Sequence, residues 1–267
     1  MAAREPNKAK IARRVIEVLE FFDEHGSRAT VMDIARRYGR PQSSTSELLG
    51  VLVEMGLLYK DAETRSFAPT PRAAMLGSIT QPDIVRDGRL AMLTERLTAQ
   101  TCLGTAVMGM IGLDTQIFRW RAGSLPITGP FGNGLSAGLR EPVSDNAAGW
   151  LLLSTQPTSR RGGLIHRLRA EAPTDRKFSH AWLGERVQGC ERRGYAVGPA
   201  GFGTKAQMCA VLLPAKDNER PIALGLVYED EDRIDPASLA AFLQRSVETC
   251  VNYQPPSVKP ALVSSAG

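Results

Sequence analysis

The residues best suited to chemistry cluster between Arg40 and Glu47: Arg40, Gln42, Ser43, Ser44, Ser46 and Glu47. Apart from Arg40, which suits a phosphate or the minor groove, they are side chains for reading base edges rather than for breaking bonds. A glutamine amide suits adenine, a glutamate accepts from the cytosine amino group, and serine serves either. Pro41 opens a helix readily, and Leu48, Leu49, Leu52 and Met55 predict an inward stripe behind these polar residues. A shorter helical pattern precedes them. It starts at Thr30, a good N-cap, runs through Ile34, Ala35 and Tyr38, and stops at Gly39, which suits a left-handed C-cap position. A short helix, a tight turn and a second helix with a polar start suit the DNA major groove. An ordinary helical hairpin has the same pattern, so the flanking residues must decide.

Behind this pair, Leu57-Leu58-Tyr59 begins an extended run, Lys60 to Arg65 is turn-like, and Ser66 to Thr70 returns. That is a β-hairpin, with Lys60 and Arg65 placed to meet phosphates or a minor groove. Ahead of it, Ile11, Val15, Val18, Leu19 and Phe22 mark an amphipathic first helix ending at His25-Gly26. Three helices and a hairpin wing make a small domain over residues 1–78.

Residues 12–71 resemble the N-terminal domain of IclR-type transcriptional regulators. The resemblance rests on Arg14 to Glu20, Asp33-Ile34-Ala35, Pro41 to Thr45, Leu48-Leu49 and Leu52 to Gly56, with Asp61 and Arg65 in the wing. It departs at Ser46 and Glu47, where the family often has an aromatic residue and an arginine. The resemblance implies a winged helix-turn-helix that binds double-stranded operator DNA. One short helix touches few base pairs, so a homodimer or homotetramer reading a pseudo-palindrome is expected.

The chain has 267 residues and a net charge of +5, which leaves room for a second core and is modestly basic, as in many nucleic-acid binders. Four cysteines without a CxxC pair and only three histidines argue against structural zinc. No secretory segment and no long apolar run occurs, so a soluble, cytoplasmic protein without membrane contact is expected. Ile84, Val85, Leu90, Leu93 and Leu97 predict a linker helix over residues 79–101, its stripe free to pair with a second subunit and Gly88 weakening its middle. Strand patterns at 103–111, 113–121, 207–214 and 221–229 alternate with helical patterns at 146–154, 160–170, 181–193 and 236–253. This is α+β with an antiparallel sheet. Residues 254–267 have the composition of a disordered tail.

Residues 102–253 resemble, more loosely, the GAF-like effector-binding domain of the same family, through Arg193 to Val197, Cys209 to Pro214 and Ile222 to Leu226. Glu141 to Gly149 resembles the family segment that opens a helix holding an acidic effector. The resemblance implies amides from Ala147 and Ala148 and a pocket cysteine at Cys209. It places Gly198, Gly225 and Val227 where the family has polar groups. Loss of those groups predicts a roomier pocket for an aromatic or largely apolar acid, with Phe131, Trp150 and Met208 contributing walls. No cofactor is implied. A catalytic second domain and a ligand-free oligomerisation module are the alternatives, but no nucleophile–base pair stands at readable spacing. Gly198 to Lys205 lacks the Gly-Lys-Ser/Thr order of a phosphate loop.

Overall fold

The computed structural model describes residues 7–25, 28–76, 83–124, 127, 135–215, 219–229 and 234–252. Two compact units divide the chain at Gln81/Pro82.

The first unit contains α1 (Asn7–His25), α2 (Val31–Arg37), α3 (Gln42–Glu54), β1 (Leu58–Lys60), β2 (Phe67–Pro69) and α4 (Pro71–Met75). Helix α2 starts at a reciprocal capping box. The Thr30 hydroxyl accepts from the Asp33 amide at 3.4 Å, and Asp33 Oδ2 accepts from the Thr30 amide at 2.8 Å. Gly39, at φ 60°, turns the chain into α3. Val18, Phe21 and Phe22 of α1 pack with Ile34, Leu49, Leu52 and Phe67. Ile11 and Met55, expected inside, are exposed at 54% and 56%, and Thr45 takes the buried place one turn before Leu49. Ala29 adds an isolated bridge to β2, exchanging two backbone bonds with Phe67.

The second unit begins with α5 (Asp83–Arg86) and α6 (Arg89–Thr101). These replace the single linker helix expected here. Gly88 lies at φ 77°, outside the helical region, and becomes the N-cap of α6. The expected free stripe is also absent. Ile84, Leu90, Leu93 and Leu97 are buried inside this unit's own core. Arg89 Nη1 ties α6 to the Val251 carbonyl at 2.8 Å.

Then follow β3 (Gly104–Ile111), β4 (Asp114–Arg121), β5 (Arg140–Pro142), α7 (Ala147–Ser154), α8 (Thr158–Glu171), α9 (His180–Arg193), β6 (Tyr195–Pro199), β7 (Gln207–Leu212), β8 (Ile222–Tyr228) and α10 (Pro236–Asn252). The strands form one antiparallel sheet in the order β5-β4-β3-β8-β7-β6. A register shift in β3 falls between Val107 and Met108. Side chains alternate across the sheet, so β3, β6, β7 and β8 each serve two cores. Ala106, Met108, Met208, Ala210 and Val227 pack against α7, α8 and α9. Val107, Cys209, Val211, Leu224 and Leu226 pack against α6 and α10. Strands β5 and β6 had no strand signal of their own beyond quoted motif residues.

Thr30→Ala breaks the capping box. It should lower the stability of the first unit by about 1 kcal/mol, read as a shift of its urea midpoint.

Candidate nucleic-acid interface and ligand cleft

Helix α3 has two distinct faces. Thr45, Leu49 and Leu52 recur at helical spacing and are buried, while Gln42, Ser43, Ser46 and Glu47 are exposed together at its start. The first turn carries no acidic residue, so its free amides keep their positive end uncompensated. Four of the six residues singled out between Arg40 and Glu47 are therefore exposed. Ser44 is half-buried and receives Arg14 Nη2 at 2.9 Å from α1. Arg40 pairs with Glu17 of α1, and its guanidinium lies 5.5 Å from the Tyr38 ring centre. Both anchor α3 within the unit rather than standing free.

The wing turn is closed by Asp61, whose Oδ1 accepts from the Glu63 and Thr64 amides at 3.0 and 3.1 Å. Its other oxygen pairs with Arg28 at 3.0 Å. The Thr64 and Arg28 bonds hold the Asp61 carboxyl below its usual range. Arg65 is exposed at φ 53°, an uncommon conformation for a side chain of its size. Lys60 is exposed, with its ammonium 5.7 Å from the Phe67 ring centre.

In the second unit, Asn146 caps α7. Its Oδ1 accepts from the Gly149 amide at 2.7 Å, and its Nδ2 donates to Glu141 Oε1 at 2.8 Å. Glu141 Oε2 accepts from the Phe202 amide at 2.5 Å. Phe202 lies in a run of three positive-φ residues: Gly201 at 80°, Phe202 at 54° and Gly203 at 73°. A Cβ at Gly201 would meet Glu141 Oε1 at 1.8 Å, so only glycine lets the loop come this close. Burial, the leading cause, pushes the Glu141 carboxyl up to about 7, against the lowering effect of its two hydrogen bonds.

A cleft of about 770 Å³ opens beside this carboxyl. Its apolar wall is Trp150, Phe178 and Trp182. The Trp150–Trp182 and Phe178–Trp182 ring centres are each 5.8 Å apart. Arg186 stacks 3.8 Å from the Trp182 ring centre and 5.2 Å from that of Trp150. Arg176, paired with Asp145 at 3.1 Å, adds a second guanidinium. An aromatic wall with cations at its rim suits a planar anion.

The pocket expected from the sequence is partly rearranged. Ala147 and Ala148 are buried at the start of α7, and Gly198, Met208, Gly225 and Val227 lie on the α7 side of the sheet. The glycines do not make room, however. A Cβ at Gly198 would lie 2.6 Å from the Trp150 ring, and one at Gly225 2.8 Å from Met208 Sδ. Indole and thioether fill the space a larger residue would have taken. The Trp150 Nε1 hydrogen bond to the Ser144 carbonyl, 2.7 Å, fixes the ring there. Cys209 faces the opposite side, against α10, with its Sγ 3.8 Å from the Pro236 carbonyl oxygen. Burial pushes its thiol up to about 12, leaving it protonated and inert. Phe131 lies outside the described residues. Glu141, Phe178, Trp182 and Arg186 were not singled out from the sequence. The Trp182–Arg186 spacing of four within a helix was the available signal.

Among the described residues no three metal-binding side chains converge, and no helix is long and apolar enough to cross a membrane. Residues 12–62 match the IclR helix-turn-helix domain. The fold over most of the chain is that of solved IclR-family proteins. The IclR of Thermotoga maritima is 15% identical with a TM-score of 0.55, over 91% of this chain and 97% of its own. An IclR-family transcriptional regulator from Brucella abortus is 19% identical at 0.51, over 92% and 93%. An IclR homolog from Microbacterium hydrocarbonoxydans, solved with 4-hydroxybenzoate, is 19% identical at 0.53, over 90% and 97%. No curated protein matches the chain by sequence.

Two outcomes follow from the cleft. Gly198→Ala drives a methyl into the Trp150 ring and should cost on the order of 1–3 kcal/mol of stability, measured by denaturant unfolding. Glu141 binds its proton more tightly folded than unfolded, so its contribution is full below about pH 4.5 and is lost as pH rises through about 7. Glu141→Gln should remove that slope, on the order of 3 kcal/mol across the window, in urea midpoints at pH 5 and pH 7.5.

Proposed function

We propose that this chain, whose residues 12–62 form an IclR helix-turn-helix domain, is a ligand-responsive transcriptional regulator. Its first unit reads operator DNA and its second binds a small organic acid. The observation that carries the reading is the start of α3, where Gln42, Ser43, Ser46 and Glu47 stand exposed on the matched domain while Thr45, Leu49 and Leu52 anchor the helix. Side chains of these types suit direct readout of base edges, and Lys60 and Arg65 of the wing suit the phosphate backbone.

The regulator works as a homodimer or homotetramer on a pseudo-palindromic site. Two copies of α3 about 34 Å apart would enter successive major grooves, which one copy cannot do. The contact surface is not the stripe of α5 and α6, since that is buried within the unit. The effector is an aromatic acid. Trp150, Phe178 and Trp182 supply a flat apolar wall, and Arg186 and Arg176 balance a carboxylate.

The test is selection of bound sequences from random duplex DNA by the full chain, followed by titration at several salt concentrations. Glu47→Ala should change the selected motif more than total affinity. Arg65→Ala should weaken all sequences alike and reduce the salt slope by about 1. Arg40→Ala should act chiefly through stability, because Arg40 is paired with Glu17. An unaltered motif in Glu47→Ala removes glutamate from base reading. A monomer in sedimentation at micromolar concentration removes the palindromic site.

A further inference from the structure

Glu141 is a carboxylate held as a bound acid would be held. It reaches the start of α7, accepts from the Asn146 amide nitrogen at 2.8 Å and the Phe202 backbone N–H at 2.5 Å, and borders the aromatic cleft. Those two donors belong to separate segments, the α7 cap and the 201–203 loop. Among the described residues, it is the Glu141 carboxyl that links the two segments at this point. The loop is shaped around it, since Gly201 approaches so closely that a Cβ would overlap Glu141 Oε1. A run of three positive-φ residues is costly at Phe202, where a side chain is present, and the Glu141 bond to the Phe202 amide helps hold it.

We propose that Glu141 is the internal occupant of the acid-binding seat, filling donors that the carboxylate of an external ligand would otherwise take. This deepens the regulator reading and rests on it for what the ligand does, while the seat itself is a property of the second unit. Two consequences are specific to this chain. Short acids, which have nothing to offer beyond a carboxylate, are excluded because they exchange one carboxylate for another with no gain. An effector with an aromatic body gains the Trp182 and Phe178 wall and the Arg186 guanidinium as well, and so can displace Glu141. Displacement passes the Phe202 amide from Glu141 to the ligand, so that occupancy of the cleft and the hold on the 201–203 loop become one event. The carboxyl is poised for this. Its burial disfavours the ionised form, Asp145 adds to that effect, and Arg176 opposes it.

The experiment is chemical complementation. Glu141→Ala in the full chain empties the seat and leaves both donors unpaired, which lowers the melting temperature. Sodium acetate or formate should then raise it saturably, against sodium chloride at equal ionic strength, because a ligand that binds only the folded state stabilises it. The unaltered protein should show no acetate-specific shift, and Glu141→Gln, with its seat filled by an amide, should show none either. If Glu141→Ala fails to fold, Glu141→Ser, which also empties the seat of its carboxylate, should respond to formate in the same way. An acetate or formate response equal in the unaltered protein and the variants overturns the proposal. So does its absence from both Glu141→Ala and Glu141→Ser. DNA binding is not read in this experiment, so loss of the regulator reading and loss of the internal occupant are separate results.

Discussion

The second unit depends on where one indole lies. Trp150 stands in the first turn of α7, donates to the Ser144 carbonyl and lies across β6 where Gly198 has no side chain. That placement closes the interior of the sheet against α7. It also sets the ring edge-on to Trp182, which in turn carries Arg186. Had position 198 any side chain, the ring would have to move. The hydrogen bond, the aromatic wall and the seat of the guanidinium would all move with it. The open space is thus pushed outward, from under the helix start to a cleft beside it.

The same economy appears in the first unit. Two polar residues at the start of α3 hold it in place. Ser44 meets Arg14, and Arg40 meets Glu17, so that α1 grips the start of α3 at two points. The first pair is neutral on one side and the second is partly exposed. Neither is worth much alone, but together they fix the helix against a core of few large side chains. What remains exposed at the start of α3 is uncharged apart from Glu47.

Most elements were legible in the sequence because their periodicity is strong. The N-cap at Thr30, the break at Gly39, and strands β3, β4, β7 and β8 all follow from residue type and spacing. The failures have distinct physical causes. Cys209 was placed in the pocket by resemblance, but the alternation of strand side chains turns it to the face against α10. Gly198 and Gly225 were read as added space, since a sequence does not show which neighbour will fill a gap. The stripe at Ile84 to Leu97 was read as unpartnered because its partner, α10, lies some 150 residues away. Glu141 was passed over because a lone carboxylate before a proline has no motif. Its role comes from a loop 60 residues later.

Strand β7 is apolar on both faces, and this affects how its alignment is encoded. In a half-exposed strand, polarity marks the correct register, since a slip would expose the core. Here a slip would exchange one buried face for another. Only size distinguishes them: Met208 fits over Gly225, and Cys209 fits under α10. The register is therefore written in volumes rather than in hydropathy. Exchanges among apolar residues, the mildest class in most proteins, carry most of the positional information at this strand.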